Sequence, residues 1–282
     1  MDFSIRALRR EEAAFPFELA AAEGWNSGTY DATPFFAADP HGFLVAEDAE
    51  ETKLGCIAAV RYDTYGFIGL FIVRPEFRGN GIGRALLAAA LERLAGLPVG
   101  LDAIPAEEDR YARAGFVRAY TTVRYRWSSI EPRDRFASQI ALERLRVLDD
   151  DVVAYDRACF GAARAPFLQA WVAQPDVVAL VARSLATASV LGYAVCREAR
   201  DGAKFGPLFA SRLDVAALLL DTVASRARPP WRLDIPSPNV PALALADDRG
   251  MTRGTENVRM WRGDPPALDL SRTYGITSFE LG

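Results

Sequence analysis

The chain has 282 residues, half of them apolar and a quarter charged. That is enough for one large core or two ordinary domains, and it excludes both intrinsic disorder and a small scaffold stapled by disulfides or metal. A formal net charge of -4 and a pI near 5.3 argue against nucleic acid as the main partner, because holding a polyanion needs a basic surface.

In chain order, the alternation over Phe3–Leu8 predicts a strand, followed by amphipathic helix over Ala13–Ala22 and a second short helix over Thr33–Ala38. The turn Asp39-Pro40-His41-Gly42 holds the one histidine, His41. Gly42–Glu47, Lys53–Arg61 and Tyr65–Val73 read as three strands of an antiparallel meander. Gly81–Ala95 then places Ile82, Leu86, Ala90 and Leu94 on one helical face, Leu97–Ala103 is a strand, and Glu107–Ala114 is a short helix ended by Gly115. Phe116–Trp127 completes the block as strand and turn. Cys56, Cys159 and Cys196 stand far apart without metal-ligand spacing, which fits a reducing compartment and no metal site. The start MDFSIRALRREE lacks the apolar stretch of a secretion signal, and no apolar run reaches the roughly 18 residues of a membrane span, so a cytoplasmic protein with no membrane partner is expected.

The second half of the chain repeats the first. LDAIP at 101–105, RAGFVRA at 113–119 and VRYRW at 123–127 return in order as LDIP at 233–236, DRGMTRG at 248–254 and VRMWR at 258–262. Asp102 to Asp234 is a shift of 132, while Gly115 to Gly250 and Val123 to Val258 are shifts of 135. GLFIV at 69–73 likewise has a counterpart in GPLFA at 206–210. This is a whole-domain duplication, not a short-period solenoid. It implies domains at 1–127 and 138–282 joined by a linker at 128–137, centred on the polar Ser128–Arg135.

The stretch Val73-Arg74-Pro75-Glu76-Phe77-Arg78-Gly79-Asn80-Gly81-Ile82-Gly83-Arg84 carries the chemistry. A strand ends, a Pro-led turn comes next, and a glycine-rich loop opens a helix whose first N–H groups have no intrahelical partner. Such a loop suits a diphosphate, because several amides and the helix dipole act on the same few oxygens. A dinucleotide fingerprint is the nearest alternative, with Asp102 as its ribose acid, but the glycine spacing and the interposed Arg74–Arg78 do not match it. A P-loop fails because no Gly-Lys-Ser/Thr succeeds the glycines.

VRPEFRGNGIGRALL resembles the acyl-CoA-binding segment of the GCN5-related N-acetyltransferase (GNAT) superfamily, whose pattern Gln/Arg-x-x-Gly-x-Gly/Ala is met by Arg78, Gly81 and Gly83. Tyr111-Ala112-Arg113-Ala114-Gly115-Phe116 matches a second, separate segment. The resemblance, strongest over residues 1–127, implies an α/β (α+β) fold of two tandem acyl-CoA N-acyltransferase domains, each a mixed, mainly antiparallel sheet flanked by helices, as in tandem bacterial members. It implies acetyl-CoA as co-substrate, no metal, and an N-acetyltransferase moving an acetyl group to a primary amine of a small molecule in a ternary complex. Phe71, Ile72 and Val73 would lie along the pantetheine arm, with a backbone N–H there polarising the acyl carbonyl. Arg78, Gly79, Asn80, Gly81, Ile82, Gly83 and Arg84 would hold the diphosphate, and Tyr111 would protonate the departing CoA sulfur.

The general base is not apparent, because Tyr65–Val73 contains no carboxylate. Asp63 and Asp102 are candidates, and Asp31 is preferred because Gly24–Asp31 corresponds to the loop that shapes the acceptor site in the family. The aromatic residues of that loop and the acidic balance suit a small cationic amine. In the second copy Ala210-Ser211-Arg212-Leu213-Asp214-Val215 has no glycine and Ala246 stands where tyrosine would, so this half is expected to be degenerate, a structural partner that completes a wall of the acceptor cleft or an oligomer contact. The missing strand carboxylate leaves a non-catalytic acyl-CoA sensor or interaction module as the alternative, in a monomer or homodimer.

Overall fold

The computed structural model describes residues 2–130 and 139–282. The first half runs β1 (Ser4–Ala7), α1 (Phe15–Ala22), α2 (Ala32–Ala38), β2 (Phe43–Glu47), β3 (Lys53–Arg61), β4 (Gly66–Val73), α3 (Ile82–Arg93), β5 (Val99–Ala103), α4 (Glu108–Arg113) and β6 (Val117–Trp127). The second half repeats that order as β7 (Ile140–Arg144), α5 (Asp150–Phe160), α6 (Ala165–Val172), β8 (Val178–Ser184), β9 (Val190–Glu198), β10 (Ala203–Ala210), α7 (Leu213–Ala224), β11 (Trp231–Pro236), α8 (Val240–Asp248) and β12 (Thr252–Arg262). One further strand, β13 (Thr273–Gly275), ends the order. Most of the linker expected at 128–137 lies outside the described residues.

Local chemistry sets the boundaries. The Asp149 carboxylate accepts the Val152 N–H to start α5, and Gly161, at φ 86°, ends it. The Asn239 side chain accepts the Ala242 N–H to start α8. Among the described residues no helix is long and apolar enough to cross a membrane.

Each half supplies a mainly antiparallel run of strands flanked by helices, with β4–β5 and β10–β11 as the parallel pairs. The two runs form one sheet in the order β1-β2-β3-β4-β5-β12-β6-β11-β10-β9-β8-β7, with β13 on β10. Thus β6 leaves the first half to pair with β11, while β12 leaves the second to pair with β5, and the exchanged strands pair with each other. The segments 1–127 and 138–282 therefore share strands. Without the other half, β5 and β11 would each present a bare edge.

The core obeys the same logic. Ile82, Leu86 and Ala90 of α3, with Leu94 at its C-terminal cap, are buried over one face of the first half's strands, so Leu86→Ala would cost about 2–5 kcal/mol. A second cluster buries α7 and α8 against the strands of the other half. The third crosses between halves, where α2 meets α6 through Phe35 and Trp171, their rings 6.0 Å apart.

Candidate active site

Strands β4 and β5 pair only where Gly66, Phe67 and Ile68 face Val99, Gly100 and Leu101. Beyond Ile68 they part, leaving backbone groups of β4 without a partner on that side. At the same point β4 bulges: Gly69 faces Ala58 and Ile72 faces Cys56, so β4 carries one residue more than β3. Leu70 takes a left-handed φ of 43°, an unfavourable conformation for a bulky residue that is held by burial and by its carbonyl accepting the Cys56 thiol at 3.2 Å.

The glycine loop lies at the open end of this splay. Gly79 and Gly81 have φ of 85° and 82°, and a Cβ at either would meet nothing within 4 Å, so glycine is needed there for conformation. At Gly83 a Cβ would stand 2.9 Å from Arg110 Nη2, the mobile end of a partly exposed side chain, so this position is the least demanding of the three. Gly81 caps α3 with no side-chain bond. Among the described residues no protein acceptor takes the N–H groups of Gly79 through Arg84. Arg78 braces the loop, donating from Nε to the Val73 carbonyl at 2.9 Å and pairing with Glu23.

A cavity of about 1260 Å³ runs from this loop into the splay. Phe71, Ile72, Val73, Arg78, Gly79, Ile82, Gly83 and Tyr111 line it. Asn80, Gly81 and Arg84 are not in its lining, and the Asn80 side chain donates to the Phe77 carbonyl. Tyr111 is half-buried against Phe116, and burial pushes its phenol up to about 12. The far wall belongs to the second half and the exchanged strands, through Lys204, Arg232, Glu256, Asn257, Phe279 and Glu280. The loop bearing Trp25 and Asn26 closes one side. It is tied to the second half by two 3.0 Å bonds between the Asn26 side chain and the Asp201 backbone, and by Thr29 N–H to the Glu198 carbonyl.

Asp31, preferred as base, is corrected here. Its carboxylate is buried, accepts the Gly28 N–H and the Arg197 Nε–H at 2.8 Å each, and is not in the cavity lining. Held by Gly28 on its own loop and by Arg197 on β9, and turned away from the cavity, Asp31 anchors the loop to β9. Asp63 also lies away from the cavity, paired with Arg157. Asp102 reaches the cavity, but its buried carboxylate is clasped by Arg259 at 2.8 Å from two nitrogens.

Two lining residues escape a reading of the sequence. Lys204 is the one charged residue of β10, a strand buried throughout, and a lone lysine in AKFGPLFA is a detectable anomaly. Glu280 lies in the terminal segment, whose backbone packs on the face of β4 beside the splay: a Cβ on Gly69 would stand 2.0 Å from the Glu280 carbonyl oxygen. The strand that lacks a carboxylate is thus packed by the backbone of a residue that carries one, and that residue lines the same cavity. In the second half the matching gap between β10 and β11 is filled by β13, with Leu208 facing Gly275 and the Ile276 N–H bonded to the Asp234 carbonyl at 2.9 Å. That half has neither a glycine loop nor an open splay.

Comparison with known proteins agrees with this geometry. The family model described as "Acetyltransferase (GNAT) family" matches residues 5–119, and that described as "Acetyltransferase (GNAT) domain" matches residues 152–275. A holothin acyltransferase from Pseudoalteromonas sp. (strain SANK 73390) is 28% identical over 281 residues, covering 96% of this chain and 92% of its own. Among solved structures, a Pyrococcus horikoshii protein with an acetyltransferase designation superposes with a TM-score of 0.83 at 23% identity, over 99% of this chain and 96% of its own. A tandem GNAT protein from the clavulanic acid biosynthesis pathway superposes at 0.61 and 15% identity, over 94% and 100%.

Proposed function

Because the chain belongs to the acetyltransferase (GNAT) family, with a domain of that type in each half, it is an acyl-CoA-dependent N-acyltransferase, and we propose that it moves an acetyl group from acetyl-CoA to a primary amine of a small molecule by direct attack in a ternary complex. The observation that carries this is the continuous cavity of about 1260 Å³ joining the glycine loop to the second-half wall. Its volume exceeds the roughly 300–1,000 Å³ of a one-ligand pocket, which leaves room for two substrates at once. A relative spanning nearly all of this chain is named for one compound, holothin, which supports a compound rather than a polypeptide surface as acceptor.

In this scheme the N–H groups of Gly79 through Arg84 hold the diphosphate, and Arg78, tied to the Val73 carbonyl, keeps the loop in place. The unpaired edge of β4 over Phe71–Val73 hydrogen-bonds the pantetheine amides, which aims the thioester into the splay. A backbone N–H at the bulge then polarises the acyl carbonyl as charge develops on its oxygen. Tyr111, whose phenol burial holds at about 12, keeps its proton at neutral pH and gives it to the leaving thiolate. The cysteines are all buried, so a covalent acetyl-enzyme on sulfur has no accessible nucleophile among them.

Initial rates of thiol release, with acetyl-CoA and amine varied together, test the scheme. A ternary complex gives intersecting double-reciprocal lines. Parallel lines, or no release with any amine, would contradict it.

A further inference from the structure

We propose that the acceptor is a small amine that also carries an anionic group, an amino acid being the simplest case, and that the second half reads both charges, Glu280 receiving the ammonium and Lys204 the anion. This rests on acetyl transfer in the cavity of the splay, and it adds the acceptor's chemical class.

The charged side chains of the cavity are mostly closed on themselves. Arg124 is bound to Asp234, Asp102 to Arg259, Arg232 to Asp201 and Arg78 to Glu23. Among the described residues, the lining charges with no ion pair are Arg200, Lys204 and Glu280, and Arg200 lies exposed at the rim. Lys204 and Glu280 are only 3% and 8% exposed. Neither makes a side-chain hydrogen bond, and Glu280 Oε2 is fully buried without a partner. A buried charge without a partner is costly, and a protein retains one where a ligand supplies the missing partner.

The two groups sense each other: Glu280 raises the Lys204 ammonium's hold on its proton, while burial and then Arg124 bring it down to about 8. They nonetheless form no ion pair. An opposite pair held near but apart, facing one cavity, is complementary to a molecule with an ammonium at one end and an anion at the other. Glu280 also packs its backbone on Gly69, at the bulge of the splayed strand, and as the residue next to that strand it is the one assigned to the ammonium.

Protons balance in the transfer. Glu280 accepts one proton from the ammonium. The neutral nitrogen forms the C–N bond as the C–S bond breaks, and the thiolate takes the Tyr111 proton. The second nitrogen proton returns to the phenolate through solvent, Glu280 releases its own proton to water, and one proton is produced per amide formed.

The test uses the full chain, with acetyl-CoA binding by calorimetry and thiol release as readouts. The acceptors are amino acids, aminosulfonates and aminophosphates, each set against the amine of equal length that lacks the anion. The expected kcat/KM advantage of the zwitterion is roughly thirtyfold or more, that of a desolvated charge contact. Lys204→Met should collapse that ratio mainly through KM, and Glu280→Gln should lower kcat about 10²-fold or more. If acetyl-CoA binds but zwitterions react no faster than the plain amines, or fail to react, the inference is overturned. Survival of the preference in Lys204→Met overturns it as well. Absence of acetyl-CoA binding instead brings down the acetyl-transfer scheme. The wild-type comparison decides the matter even where a variant fails to fold.

Discussion

Arg124 clasps Asp234 through two 2.7 Å hydrogen bonds, and its duplicate, Arg259, clasps Asp102 through two at 2.8 Å. Each arginine stands on an exchanged strand and reaches the aspartate of the opposite half, so the duplication is locked by the same bond made twice. Both carboxylates are buried, and losing one partner leaves an uncompensated charge. Arg259→Met is therefore expected to destabilise the chain by about 3–5 kcal/mol, and Arg259→Met with Asp102→Leu by much less. Urea denaturation of the single and double variants checks this. Equal losses would mean that the contact is incidental.

Lys204 should carry a cost in stability. Burial brings its ammonium from an ordinary value of 10.5 to about 8, and Arg124, Glu280, Arg197 and Asp234 are the charges that face it. The unfolded chain then binds the proton more tightly, so the penalty is complete below pH 8 and disappears as pH rises toward 10.5. Lys204→Met should stabilise the protein at pH 7 by on the order of 3 kcal/mol, at about 1.4 kcal/mol per unit, with a smaller gain at pH 10. Denaturation midpoints at the two pH values measure it, and a loss of stability at pH 7 would contradict it.

Gly69 and Gly81 separate two reasons for glycine. Gly69→Ala would drive a methyl into the Glu280 carbonyl, so turnover should fall while acetyl-CoA affinity changes little. Gly81→Ala has open space but a φ of 82°. It should cost roughly 1–2 kcal/mol of stability and weaken acetyl-CoA binding about tenfold, equal to about 1.4 kcal/mol. Calorimetry and steady-state rates on both variants distinguish them.

Much of the fold is legible in the chain. Strand and helix positions agree within about two residues for elements such as Lys53–Arg61 and Phe43–Glu47, because turn residues punctuate clear periodicity. The glycine loop is legible because its conformational demand is written into residue type. The exchange of β6 and β12 is not, since a duplicated sequence pairs equally well within or between copies. The true role of Asp31 is hidden because its partner Arg197 is 166 residues away, and that of Glu280 because only the folded tail brings it to Gly69.

The thiols offer a simpler check. Cys56, Cys159 and Cys196 are buried, and burial pushes the Cys56 and Cys159 thiols up to about 12. Ellman's reagent should label none of them in the native protein and all three in denaturant. Rapid native labelling of any one would show that it is accessible.

The stoichiometry of acetyl-CoA binding tests the central claim most directly, because the open splay and free loop amides of the first half are set against a second half whose gap holds β13. Titration calorimetry on the intact chain should give one site per chain, lost or greatly weakened in Gly81→Val. Two sites, or no binding by well-folded protein, would contradict it.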